Sequence, residues 1–398
     1  MTRTPRQRLR LALLRAFARL ARPSPPPSPR AARILVIRPD HLGDLLFVTP
    51  ALRTLRQRYP DAHVTALVGP WGEAVLSNNP HVDETIALPF PGFTRQSKPS
   101  PWQPYSLLRH WARLLRGRYD LAFILRFDHW WGALLAYLAA VPQRVGYTIP
   151  EVAPFLTQSL PYIAGRHEVV QNLQLVNWEL VDWVSQTTHQ STNLPITDLP
   201  ITDLPTDHPI EFHVPEQAIA WARVQFQIEE TIAIHPGAGA AVKLWGVERW
   251  AAVANALAAE TGVQIVLTGS AAERSLCQQI AGQMNAPARV MAGETTLDQL
   301  AALFARCRLA LGPDCGPLHL AVAVGTPTVH LYGPVDRVTF GPWGPPERHR
   351  ALVSAWPCIP CNRLDYGADE LALHPCVREI RVQEVLSAAR QALSYYGP

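Results

Sequence analysis

Apolar residues fall along this chain in short blocks separated by amphipathic stretches, and the two kinds of block alternate through two successive regions. Ile34–Ile37 is apolar throughout, the pattern of a strand buried on both faces of a parallel sheet. A helix-period stretch follows from about Asp44 to Tyr59, then an apolar strand at His63–Val68, closed by Gly69 and Pro70. Glu84–Leu88 and Leu121–Leu125 read as further strands, with helices at Tyr105–Arg116 and Trp131–Ala140. In the second region the strands are Thr231–Ile234, Gln264–Thr268, Arg289–Met291, Leu309–Leu311 and Thr328–Tyr332. Helices at Val247–Ala259, after Gly269–Ser270, and from Pro317 to a glycine stop at Gly325 separate them, and a last helix spans about Val382–Tyr395. Two runs of strand–helix alternation predict an α/β protein with two doubly wound, parallel-sheet domains. The expected boundaries are 33–214 and 215–378, with 379–398 as a closing helix and 1–32 standing apart.

Ligands of such sheets gather at the carboxyl ends of strands. Gly43 and Asp44 lie there in the first domain, as does the turn Arg126–Asp128. In the second domain, the stretch Leu309–Pro334 is a buried strand, a Gly/Pro turn carrying Asp314, and a helix start bearing His319. The free N–H groups and positive dipole end of that helix suit an anion, most simply a phosphate. A carboxylate at a buried strand end needs a partner, which makes Asp314 a candidate site residue. His235 opens a Gly-rich loop with Gly237 and Gly239 that runs to Lys243, and Glu273 lies just past Gly269–Ser270.

With 398 residues the chain suits two ordinary domains, and 48% hydrophobic against 17% charged residues excludes a disordered protein. The net charge of +4 is concentrated at the N-terminus, so the body is not expected to bind nucleic acid. No run approaches the ~18 apolar residues that suggest a membrane span. Arginines at 3, 6, 8, 10, 15, 19 and 22 are interleaved with Leu9, Leu11, Leu13, Leu14, Phe17 and Leu20. On a helix this gives a basic amphipathic face suited to an anionic membrane surface, or else a basic extension without a fixed structure. The linker Pro23–Pro29 is proline-rich, and 187–209 is a low-complexity insertion built on tandem I-T-D-L-P. Six cysteines do not make a secreted disulfide framework, and a reducing cytosol suits them. Cys358-x-x-Cys361 has the spacing of one edge of a zinc site that His374 or Cys376 could complete, or of packed free thiols; no metal is assigned.

R-P-D-H-L-G-D at 38–44, H-P-G-A-G at 235–239, K-L-W-G at 243–246 and G-P-D-C-G-P-L-H-L at 312–320 occur in this order across both regions. In these motifs the chain, over roughly residues 33–395, resembles glycosyltransferase family 9, typified by the ADP-heptose:lipopolysaccharide heptosyltransferases. The resemblance implies a GT-B-type fold: two facing Rossmann-like domains, acceptor-binding then donor-binding, with the C-terminal helix packed back on the first. It also implies inverting, metal-independent transfer of a sugar, by family precedent heptose from ADP-heptose, to a lipopolysaccharide-like or other cell-surface glycan or glycolipid. Asp44 matches the family's general base. Lys243 matches the lysine on the donor diphosphate, and Glu273 falls near a nucleotide-contacting acid. Asp314 with Gly316, Pro317, Leu318 and His319 matches the donor motif, and His235, Gly237 and Gly239 line the same side. Cys315 stands where Ser or Thr is usual, and a thiol is the weaker hydrogen-bond donor. No cofactor is implied, and the protein is expected in the cytoplasm or on the inner face of the cytoplasmic membrane.

Each residue also has a plain structural alternative. Asp44 could cap a helix, Lys243 could be a surface lysine, His319 a core histidine, and His235 a loop-orienting one. The alternative activities are transfer from another nucleotide sugar, sugar-nucleotide epimerisation or hydrolysis, and non-catalytic nucleotide-sugar binding.

Overall fold

The structure, a computed structural model, describes residues 11, 12, 14, 32–93, 100, 102–178, 207–226 and 231–394. Its chain divides into two compact units, Met1–His41 with Val48–Leu199, and Leu42–Phe47 with Pro200–Pro398.

Unit 1 is built on a six-stranded parallel sheet in the order β3-β2-β1-β4-β5-β6. The strands are β1 (Arg33–Arg38), β2 (His63–Val68), β3 (Glu84–Ala87), β4 (Leu121–Ile124), β5 (Gln143–Tyr147) and β6 (Gln158–Leu160). Ile34 is paired with Val64 on one side and Leu121 on the other, which makes β1 a central strand and explains its unbroken apolar run. Helices α2 (Thr49–Arg58), α3 (Gln103–Leu115), α4 (Trp130–Leu138) and α5 (Glu168–Val176) accompany the sheet. Leu35, Ile37, Phe90, Ile124, Trp131 and Leu135 share its core.

Unit 2 repeats the plan with β7 (Thr231–Ile234), β8 (Gln264–Leu267), β9 (Ala288–Val290), β10 (Leu309–Pro313), β11 (Thr328–Tyr332) and β12 (His349–Val353). Its order, β9-β8-β7-β10-β11-β12, matches unit 1 strand for strand, all parallel. The order reverses between β1 and β4 and between β7 and β10, the switch points where doubly wound sheets hold ligands. Helices α6 (Glu216–Gln225), α7 (Val247–Thr261), α8 (Arg274–Gly282), α9 (Leu297–Phe304), α10 (Gly316–Ala323) and α11 (Val382–Ser394) complete it, with α1 (Leu42–Leu46) from the earlier chain.

Four expectations need correction. The helix expected from Asp44 to Tyr59 is two helices, α1 and α2, and Pro50 stands in the first turn of the second, where its missing N–H costs nothing. Residues 42–47 group with unit 2 rather than with the first domain. The closing helix was expected on the first domain. In α11, Val385, Leu386, Ala388, Ala389 and Ala392 are instead buried in the core of unit 2, and Arg390 pairs with Glu260 of α7 at 2.6 Å. Finally, β5, β6 and β12 were not foreseen, and in β5 Gln143 and Arg144 break the apolar pattern. Arg144 is nonetheless buried, its Nε donating to Phe155 O at 2.6 Å.

The insertion at 187–209 lies outside the described residues except for 207–209, and the basic extension except for Leu11, Ala12, Leu14 and residue 32. Leu11 and Leu14 are helical and buried, and Leu14 joins the core of unit 1.

Candidate active site

The residues expected on the donor side follow the carboxyl ends of β7, β8 and β10. β10 ends at Pro313, so Asp314 emerges at the sheet edge, 6% exposed. Burial alone would raise its carboxyl. The Lys243 ammonium, 2.6 Å from Oδ2, and His319, with Nε2 3.5 Å from Oδ1, instead hold it well below the usual carboxylate range. Lys243 Nζ also donates to the Asp314 carbonyl at 3.1 Å. An ammonium has three N–H donors, so one remains for an anion. The partner that a buried Asp314 requires is therefore Lys243, whose side chain is itself largely buried.

Cys315 is the N-cap residue of α10, followed by Gly316 and Pro317 in the first turn. Gly316, Pro317 and Leu318 thus present the helix N-terminus, with Leu318 buried and His319 one residue further, 3% exposed. Burial pushes the Cys315 thiol up to about 12. It is therefore a neutral thiol that adds no negative charge at the start of α10.

His235 follows β7. Its N–H donates to Leu311 O at 2.8 Å, and its Nδ1 lies 3.1 Å from Thr268 Oγ1. Burial lowers its pKa to about 4, so the ring is neutral near pH 7. Gly237 is buried and Gly239 exposed. A Cβ on Gly237 would come 1.9 Å from Glu273 Oε1, so the loop passes directly against this carboxylate. Glu273 Oε2 accepts from Ser270 N–H at 2.7 Å and from its hydroxyl at 2.8 Å, fixing the turn after β8. The acid therefore has a capping role, and it also borders the 235–239 loop.

Asp44, half-buried, is the third residue of α1 and so lies inside its first turn, not at an N-cap. Within unit 2, α1 rests on α10 at two glycines. A Cβ on Gly316 would come 2.9 Å from Leu42 Cβ, and one on Gly43 would come 3.1 Å from His319 Cδ2. Phe47 meets the His319 ring edge-on at 4.7 Å between centroids. The L-G-D and C-G-P-L-H motifs, remote in sequence, are thereby neighbours.

Unit 1 holds a buried charge cluster at the ends of β1 and β4 that the sequence motifs only partly announced. Arg38 Nε lies 2.7 Å from Asp40 Oδ2, its Nη2 3.1 Å from Glu168 Oε2, and its Nη1 donates to Leu125 O at 2.6 Å. Arg126 pairs with Asp40 and, at 2.6 Å, with Asp128. Burial would raise the Asp40 carboxyl, but Arg38 and Arg126 hold it lowered. His129 beside it is kept neutral by burial, its pKa near 3. Arg38 and Asp40 bracket the proline of R-P-D, a visible signal; Glu168 carried none. Among the described residues, no group of three or more His, Cys, Asp or Glu is arranged to hold a metal ion.

The sequence model of glycosyltransferase family 9 (heptosyltransferase) matches residues 107–365. The chain is 29% identical over 347 residues to lipopolysaccharide heptosyltransferase 2 of Escherichia coli K12, covering 81% of this chain and 87% of that protein. Among solved structures it is similar to E. coli ADP-heptose lps heptosyltransferase II, with a TM-score of 0.67, 25% identity, and coverage of 91% and 99%. It is also similar to a family 9 glycosyl transferase from Veillonella parvula, with a TM-score of 0.69, 22% identity, and coverage of 92% and 98%.

Proposed function

Since the chain belongs to glycosyltransferase family 9 and is a glycosyltransferase of the GT-B type, we propose that it moves heptose from ADP-heptose to a lipopolysaccharide-type acceptor, inverting the anomeric carbon without a metal ion. The observation that carries this reading is the seating of α1, with Asp44, against α10, whose first turn adjoins the Lys243–Asp314 pair. Inversion in one step needs a base for the acceptor hydroxyl and positive charge for the departing diphosphate. Asp44 takes the hydroxyl proton as the oxygen attacks the anomeric carbon. Lys243 and the N–H groups at the start of α10 stabilise the charge that develops on the diphosphate, each such donor worth about 3 kcal/mol. Asp314 holds Lys243 in place, and His235, Gly237, Gly239 and Glu273 shape the nucleotide side.

A thermal-shift screen of nucleotide sugars tests the donor. ADP-heptose at 100 times its dissociation constant is expected to add about 2.7 kcal/mol of stability. Stabilisation by a UDP- or GDP-sugar alone overturns the assignment.

No helix of the described residues is long and apolar enough to cross a membrane. We place the protein in the cytoplasm, held to anionic lipid at the inner membrane face by the arginines among residues 3–22. Replacing Arg3, Arg6, Arg8 and Arg10 by Ser, which spares Leu11 and Leu14, is expected to remove about 1 kcal/mol of attraction per arginine. Unchanged co-sedimentation with anionic vesicles counts against this attachment.

A further inference from the structure

Helix α3 turns two aromatic rings and three arginines to solvent on one side. Trp102, Tyr105, Arg109, Arg113 and Arg116 are spaced i, i+3, i+7, i+11 and i+14, which places them in one narrow band along the helix. All five are exposed, Trp102 by 76% and Tyr105 by 56%, and these two rings lie with centroids 6.2 Å apart. The inner face of α3, with Leu108, Ala112 and Leu115, is buried in the core of unit 1, the same apolar cluster that takes Leu14 of the basic extension.

No carboxylate balances this ridge. Between Glu84 and Asp120 the chain has no Asp or Glu, and α4, which packs against α3, carries no charged residue. Among the described residues, none of Arg109, Arg113 and Arg116 is ion-paired. Arg109 and Arg113 stand four residues apart, a like-charge pair that opposes an isolated helix. The helix dipole favours cations only in the last turn, so it accounts for Arg113 and Arg116 but not for Arg109 or the two rings.

We propose that this ridge is a second membrane contact, laying unit 1 on anionic phospholipid with Trp102 and Tyr105 at headgroup depth and the three arginines over the phosphates. The proposal rests on the membrane placement given above and adds to the extension a surface carried by the folded body. An anionic bilayer answers both ends of the ridge. Indole and phenol rings settle at the membrane–water interface, where the apolar body is covered and the polar tip stays wet. Arginines close to the surface are drawn by its negative potential, which offsets their mutual repulsion.

The test is co-sedimentation of the full-length protein with vesicles of phosphatidylcholine and phosphatidylglycerol, against vesicles of phosphatidylcholine alone. Arg109→Ser, Arg113→Ser and Arg116→Ser combined are expected to weaken partitioning into the anionic vesicles by about 100-fold, from about fivefold per arginine. Trp102→Ser with Tyr105→Ser is expected to weaken it at least about tenfold. Arg109→Lys, Arg113→Lys and Arg116→Lys combined are expected to keep it within about threefold of wild type, because the attraction is one of charge. A serine variant of α3, of either kind, that partitions like wild type overturns the proposal. So do a lysine variant as weak as its serine counterpart, wild type that binds neutral vesicles equally well, and wild type that binds neither. The variant with Arg3, Arg6, Arg8 and Arg10 replaced by Ser, run beside these, separates the two contacts. Loss there alone makes the extension the whole attachment, whereas loss in the α3 variants alone keeps the ridge and removes the role of the extension.

Discussion

Asp314→Ala is expected to destabilise unit 2 by about 3–5 kcal/mol, because it leaves the Lys243 ammonium, 14% exposed, without its carboxylate. The loss is read as a lowered urea midpoint at unchanged slope. Adding Lys243→Met to Asp314→Ala removes the orphaned charge, so the double variant is expected to regain part of the loss, with a coupling of roughly 0.5–3 kcal/mol. A single-variant loss under about 1 kcal/mol means that the pair is solvated and that the site is less closed than described. The sign of the pH dependence follows from the depressed carboxyl of Asp314. Its contribution is complete above the unfolded carboxylate pKa of about 4 and is lost as pH falls towards the folded value. His235 acts in the same direction over a higher window. Its lowered pKa, about 4, means that the unfolded chain takes up the proton first, so stability falls as pH drops from about 6.5 towards 4. Acid unfolding of the His235→Asn variant is expected to lack this earlier component.

Asp44→Asn is expected to lower kcat for transfer by about 10²–10⁴ while preserving the thermal shift produced by the donor. An amide is close in shape to a carboxylate but cannot take the acceptor proton. The lost rate together with retained donor binding separates a base from a residue that merely shapes the pocket. Transfer within tenfold of wild type would place the base elsewhere and leave Asp44 a structural role on α1. A matching loss of donor binding would instead point to disturbed packing between Gly43 and His319, which are in near contact.

The alternation of apolar blocks sufficed for two parallel α/β units, since β1, β7 and β10 are central strands and carry no polar interruption. It failed at β5, where a buried arginine satisfies itself on nearby carbonyls and so hides the strand. It merged α1 with α2, because the short break at Phe47–Val48 leaves apolar residues at helical spacing on either side. The motifs identified Lys243 and Asp314, but not that each is the other's partner across 71 positions. The charge cluster of unit 1 was half legible. Arg38 and Asp40 stand in a motif, whereas Glu168 reaches Arg38 from 130 positions away, a pairing that only the fold brings about. The closing helix was misplaced because an amphipathic pattern tells which face is buried and not against what.

The attachment of Leu42–Phe47 to unit 2 bears on how the protein can be divided for expression. Leu45, Leu46 and Phe47 are 0%, 0% and 1% exposed in the intact chain, and Phe47 lies against His319. A fragment that stops at Leu199 retains these three side chains but loses α10, turning an interior seam into a sticky surface. A fragment that begins at Pro200 keeps Lys243 and Asp314 but lacks Asp44. Neither half is a natural reagent, and the smallest workable preparation is the two units together.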